Sequence, residues 1–170
     1  MTSEVEIRPE RSDDIDAIGE LIASAFFGMP YADGDEAELV EALRAQNALS
    51  VSLVAELDGT IVGQVAFSPA RASGGVPGWY ALGPVAVLPT RQGAGIGSML
   101  VRTGLEAVSE LGAMGCILTG NPAFYSRFGF EPAPESAPSG EPSEFFMIKL
   151  LCGQLPVGSI HLHEAFGGAV

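Results

Sequence analysis

The sequence predicts an α+β, or mixed-sheet α/β, fold, and three observations carry that reading. The first is "ALSVSLVAELDGTIVGQVAFSPAR", two β-rich runs joined at Asp58-Gly59, the dipeptide favoured in tight hairpin turns. The second is a helical stripe, Ile15, Ile18, Leu21, Ile22 and Ala25 running on through Phe26. The third is the order of elements, β-α-α-β-β-β-α-β-α-β-β, which mixes hairpins with crossovers. A chain of 170 residues, 47% of them hydrophobic, is long enough for one domain with a real core, so residues 1–170 are expected to form a single domain.

The elements follow in order. "VEIRPE" reads as a first strand with Val5 and Ile7 on one face. Ser12 or Asp13 is placed to cap the next helix, and Asp14 and Asp16 suit its positive N-terminal end. In "FGMPYADGD", Pro30 and Gly34 interrupt any period, which makes a loop. A second helix is expected from about Asp35 to Gln46 with Leu39, Val40 and Leu43 inward. After the hairpin, "GWYALGPVAVLP" is a strand in which Pro84 removes a ladder donor, so a bulge or an edge is expected at Gly83-Pro84. A helix then runs to about Leu111 with Met99, Leu100, Leu105 and Val108 inward, and "MGCILTG" is a short buried strand. "NPAFYSRFGF" opens on a proline suited to a first helical turn and stops at Gly129. "EPAPESAPSGEP" is a long exposed loop, and "EFFMIKLL" and "VGSIHLHEAF" are closing strands.

Composition narrows the function. The formal charge of −13 argues against a nucleic-acid surface, which needs a basic footprint. The acids crowd between Glu4 and Asp58, where they serve either as solvated helix faces or as a rim that attracts a cationic substrate. No apolar run reaches the roughly 20 residues of a membrane span, and the N-terminus lacks a signal-peptide core, so a cytoplasmic protein with no membrane partner is expected. Cys116 and Cys152 make neither a disulfide framework nor a metal site; Cys116, in "CIL", reads as a small buried hydrophobe.

The stretch "TRQGAGIGSML" sets three glycines at alternate positions between a strand ending at Val87 and a helix beginning near Gly97. Free N–H groups at a helix start carry about half a unit of positive charge and attract anions. A P-loop needs Gly-Lys-Ser or Gly-Lys-Thr, and no lysine is near. A dinucleotide fingerprint needs G-x-G-x-x-G beside the first strand, whereas this motif follows several strands.

The remaining candidate is an acyl-coenzyme-A loop. Gln92-Gly93-Ala94-Gly95-Ile96-Gly97 fits Q-x-x-G-x-G and resembles the pyrophosphate loop of the GNAT superfamily of N-acetyltransferases. "AFYSRFGF" resembles that family's closing helix, "IRPERSDDIDAIGELIASAF" its beginning, and "LGPVAVLP" and "RFGF" are similar to a bacterial subgroup of predicted acetyltransferases. The resemblance implies a GNAT-type acyl-CoA N-acyltransferase fold, with a central mixed, largely antiparallel sheet flanked by helices. It implies acetyl transfer from acetyl-CoA, without a metal, to a small amine or a basic peptide end by direct attack. Cofactor contacts are then expected from Val85, Val87, Arg91, Gln92, Gly93, Ala94, Gly95, Ile96, Gly97 and Ser98. Tyr125 becomes the general acid for the departing thiolate, and a backbone N–H near Val87 polarises the carbonyl.

Two departures stand out. Pro84 occupies the place of the family's strand carboxylate, which leaves Glu56, Tyr80, His161 and His163 as substitute bases. Leu118 occupies the place of a family asparagine, and Asn121 reads instead as the cap ahead of Pro122. The acceptor is expected near the loop from Gly28 to Asp35, and the segment "GSIHLHEAF" is expected to complete the sheet and to offer a homodimer edge. The alternative to an enzyme is a non-catalytic acyl-CoA-binding sensor or interaction module.

Overall fold

The first strand does not bury the residues its alternation suggests. In β1 (Glu6–Pro9) the buried side chain is Arg8, while Ile7 stays partly exposed. A guanidinium tolerates burial when carboxylates satisfy it. Arg8 donates to both oxygens of Asp14, at 2.8 and 3.1 Å, and to Oε1 of Glu56 at 3.0 Å. The computed structural model describes residues 4–29, 34–138 and 143–166. Within it the chain forms two compact units, Met1–Phe67 with Gly83–Glu106, and Ser68–Leu82 with Ala107–Val170.

The first unit is built on β1, β2 (Val51–Leu57), β3 (Thr60–Pro69) as far as Phe67 and β5 (Trp79–Val87) from Gly83 onward, adjacent in that order. β1 with β2 and β2 with β3 are antiparallel, with Leu57 opposite Thr60 across the turn. Asp58 and Gly59 both take positive φ there, 52° and 80°, the conformation the Asp-Gly pair predicts. One face of this sheet carries Val54, Ala66 and Ala86, packed against α1 (Ile15–Phe26) through Ile18, Leu21, Ile22 and Ala25. Val40, from α2 (Glu36–Ala45), joins the same cluster. The opposite face meets α3 (Ile96–Glu110), which comes so close that a Cβ on Gly63 would lie 2.9 Å from Leu100 Cδ1 and 3.1 Å from Ile96 Cγ2. In α3 the buried positions are Ile96, Leu100, Val101, Leu105 and Val108, and Met99 is 39% exposed, outside the stripe expected for it.

In the second unit β5 runs parallel to β6 (Gly115–Thr119) over Trp79–Ala81. β6 pairs antiparallel along its length with β8 (Phe146–Leu150), which pairs in turn with β7 (Glu131–Pro132). Trp79, Ile117, Phe146, Ile148 and Ile160 form this unit's core. Ile160 lies in β9 (Ile160–His161), which pairs with β4 (Arg71–Ala72) in a separate two-stranded sheet. The closing segment therefore does not complete the main sheet. Its extended part is two residues long, anchored by Ser73 N–H donating to Ser159 O at 3.0 Å.

β3 and β5 are antiparallel neighbours. Leu88 N–H donates to Val62 O at 2.9 Å in the first unit, and Ala70 N–H donates to Trp79 O at 2.8 Å in the second. The peptide Gly83-Pro84, where a bulge or an edge is expected, is cis, and β5 runs through it from Trp79 to Val87.

Candidate active site

The residues singled out by sequence fall in two segments, one in each unit. In the first, Leu88 leads into a 3-10 turn at Pro89–Arg91, closed by Arg91 N–H donating to Leu88 O at 2.8 Å. Gln92 folds back, its Nε2 donating to Val87 O at 3.1 Å, which ties the loop to the end of β5. Gly93 and Gly95 follow at φ of 83° and 84°, a region costly for other residues. A Cβ on either glycine would meet nothing within 4 Å, so the protein itself does not crowd this backbone. The glycines supply a left-handed turn whose outer side is open.

Helix α3 starts at once. Met99 N–H donates to Gly95 O at 3.1 Å, so the N–H groups of Ile96, Gly97 and Ser98 precede the first intrahelical bond. Ile96 is buried and anchors the turn, whereas Arg91, Gln92, Gly93, Ala94 and Gly95 are exposed. The result is an exposed run of backbone donors at the positive end of a 15-residue helix, with the Arg91 guanidinium beside it in sequence. An anion such as a pyrophosphate fits that chemistry. Val85 and Val87 are half-buried and flank Ala86, which is turned into the core.

The second segment is α4 (Pro122–Tyr125) and the 3-10 turn Ser126–Phe128 after it. Asn121 caps it, with Oδ1 accepting from Ala123 N–H at 3.0 Å, and so does the work of a cap, as its place before Pro122 predicts. Gly129 ends it at φ 89°. The half-buried Tyr125 ring stands 4.9 Å from the centroid of Phe124 and 6.0 Å from that of Phe130, edge-on to both. Burial pushes its phenol up to about 12, so it carries its proton throughout the neutral range. A group in that state donates a proton or a hydrogen bond and does not act as a base.

The substitute bases lie on separate elements. Glu56 is held by Arg8, whose pairing removes it as a free carboxylate. Tyr80 is half-buried on β5 opposite Cys116. His161 is opposite Arg71 in the small sheet, and His163 Nδ1 accepts from Ala165 N–H at 3.1 Å. Of the loop expected to meet an acceptor, residues 30–33 lie outside the described residues. Among the described residues no group of His, Cys, Asp and Glu is arranged to hold a metal, and no helix is long and apolar enough to cross a membrane.

Sequence reasoning missed one support in each of these segments. Gly63 lets the start of α3 settle onto β3, and its signal was a glycine inside a strand, directly after Thr60, Ile61 and Val62. Gly120 does the equivalent for Tyr125, and nothing in its neighbourhood marks it beyond the end of an apolar run.

Comparison with known proteins follows the same lines. Residues 48–132 match the model of the acetyltransferase (GNAT) domain. The chain is 39% identical to the uncharacterized N-acetyltransferase YhbS of Escherichia coli K12 over 120 residues, 70% of each chain. A GNAT family acetyltransferase from Brucella melitensis, solved in complex with acetyl-CoA, is 42% identical with a TM-score of 0.86, over 96% of this chain and 98% of that one. The structure of Escherichia coli YhbS in complex with CoA is 31% identical with a TM-score of 0.89, over 99% and 94%.

Proposed function

The chain belongs to the GNAT acetyltransferase family, and on that premise we propose that it moves the acetyl group of acetyl-CoA to the nitrogen of an amine acceptor by direct attack. The observation that carries this reading is the open, left-handed turn at Gly93 and Gly95 on the N-terminus of α3. Two relatives that are 42% and 31% identical were solved with acetyl-CoA and CoA bound, which supports the same cofactor here.

The chain's own residues then have separate tasks. Backbone N–H groups from Gly93 to Ser98 hold the pyrophosphate, and Arg91 adds a charge-assisted contact. The end of β5 around the half-buried Val85 and Val87 receives the pantetheine arm as an added strand. A backbone N–H near Val87 stabilises the charge that grows on the carbonyl oxygen. Tyr125 delivers a hydrogen bond, and finally a proton, to the departing sulfur. The acceptor gives up its ammonium proton to solvent, and its nitrogen forms the C–N bond as the C–S bond breaks. The second proton lost from nitrogen returns through water to Tyr125, so the acetyl group enters as a thioester and leaves as an amide. The surplus of acids favours an acceptor that arrives positively charged, a small amine or a basic peptide end.

Calorimetric titration with acetyl-CoA tests the loop. Wild type is expected to bind in the micromolar range, and Gly95→Glu to bind at least about tenfold more weakly, a loss of about 1.4 kcal/mol. Failure of the folded wild type to bind would sink the reading. For Tyr125→Phe, binding is expected to persist while turnover of an amine falls by about 10²–10⁴. Pro84, in place of a strand carboxylate, favours a second reading, an acyl-CoA sensor. That reading predicts tight binding with no turnover of any amine by wild type.

A further inference from the structure

We propose that Gly120 is a positioning residue for this acetyltransferase: the absence of a side chain there is what seats the Tyr125 ring. A Cβ built on Gly120 would lie 2.6 Å from Tyr125 Cε2 and 3.0 Å from Cδ2, with Leu118 Cδ1 at 3.3 Å. Contacts below 3 Å cannot persist, and the atoms concerned belong to a rigid ring with no flexible tip to move aside.

The glycine is not needed for its backbone conformation. Gly120 is absent from the positive-φ glycines, unlike Gly129 at the other end of the segment. Its N–H donates to Phe145 O at 3.0 Å, an interaction alanine would keep. Space for the ring is therefore what distinguishes glycine from alanine at this position.

The ring has few ways to yield. It is boxed edge-on by Phe124 and Phe130, and its backbone is fixed by Tyr125 N–H donating to Asn121 O at 3.1 Å. Asn121, directly after Gly120, also caps the helix. One dipeptide thus sets both the start of the helix and the plane against which the ring rests. A methyl at position 120 must rotate the ring or lift the whole turn, and either motion moves the phenol oxygen. Misplacing a reacting group by about 1 Å costs on the order of 10²-fold in rate.

The catalytic consequence rests on the reading of Tyr125 as proton donor; the steric one does not, and the experiment separates them. Gly120→Ala is made in the wild type, in Tyr125→Phe and in Tyr125→Ala. In the wild-type background Gly120→Ala is expected to lower kcat at least about tenfold while KM for acetyl-CoA changes less than about twofold. In Tyr125→Phe it is expected to lower kcat no further. Multiplicative losses in the double variant, or a kcat within about twofold of wild type for Gly120→Ala, would overturn the proposal.

Thermal melting provides the second arm, independent of activity. Gly120→Ala is expected to lower Tm by several degrees, and to leave it unchanged within about one degree when Tyr125 is already alanine. An equal loss in both backgrounds would show that the ring does not fill the space, and would overturn the proposal. If Gly120→Ala does not fold, soluble Gly120→Ala/Tyr125→Ala supports the proposal and an insoluble one overturns it. Should Tyr125→Phe keep full turnover, the proton-donor reading fails while the melting result still decides the packing.

Discussion

Single side chains in this protein owe their chemistry to the company they keep. Cys116 and Cys152 have the same thiol, yet Cys116 is fully buried on β6 and its thiol is pushed up to about 12 by burial, while Cys152 is exposed near Met114. Only the thiolate attacks a disulfide reagent, so the two must differ sharply in rate. A chromogenic disulfide at about pH 8 is expected to titrate one thiol quickly in the native protein and the second only on unfolding. Rapid reaction of both would contradict the burial of Cys116. "CIL" within an apolar run was enough to predict that environment. The aromatic box around Tyr125 was not, because Phe130 joins it from beyond the helix stop at Gly129.

At the scale of elements, the start of α1 is fixed by charge. Asp14 accepts from Arg11 N–H at 2.7 Å and from Arg8 at 2.8 Å, joining β1 to the helix entrance. Its carboxyl is held below the ordinary 3.8, chiefly by the hydrogen bond from Arg8. A depressed carboxylate contributes stability that is present above its unfolded pKa and lost as pH falls through the folded value. Asp14→Asn is expected to cost about 3 kcal/mol at neutral pH, the low end for breaking a buried pair, because Glu56 still holds Arg8. That deficit should shrink as pH falls below the ordinary carboxylate range. Denaturant melts of both proteins across acid pH measure it; a constant deficit would contradict the linkage. The acids of "RSDDIDAIGE" suggested a helix start, but Arg8 in a strand pattern gave no sign that it would be the buried partner. Alternation reports which face a residue takes, and says nothing of a charge partner distant in sequence.

Across the whole molecule, the elements were legible where local periodicity and turn chemistry agree. Examples are the stripe of α1, the Asp58-Gly59 hairpin and the Gly129 stop. The order of glycines before α3 led to the correct family, since a left-handed turn that nothing crowds leaves its mark in residue type. What escaped was tertiary. Gly63 and Gly120 answer to side chains far along the chain or folded back, and β9 pairs with two residues near position 71 although its own alternation looks like a longer strand. The concentration of acids in the first third also changes meaning. Asp14, Glu56 and Glu10 are engaged by the largely covered Arg8 and Arg44, so part of the apparent rim is internal scaffolding, while Glu41 pairs with Arg44 at the surface.

The chain contains one lysine, Lys149, half-buried on β8, with its Nζ 2.5 Å from where a Cβ on Gly129 would sit. Amine-directed dyes and crosslinkers therefore have a single side chain to find, beside the turn that carries Tyr125. For an enzyme that acetylates amines this has a practical side. Antibodies against acetyl-lysine, or mass spectra of mixed reactions, would see almost no signal from the catalyst, so acceptor proteins can be screened in its presence without first removing it.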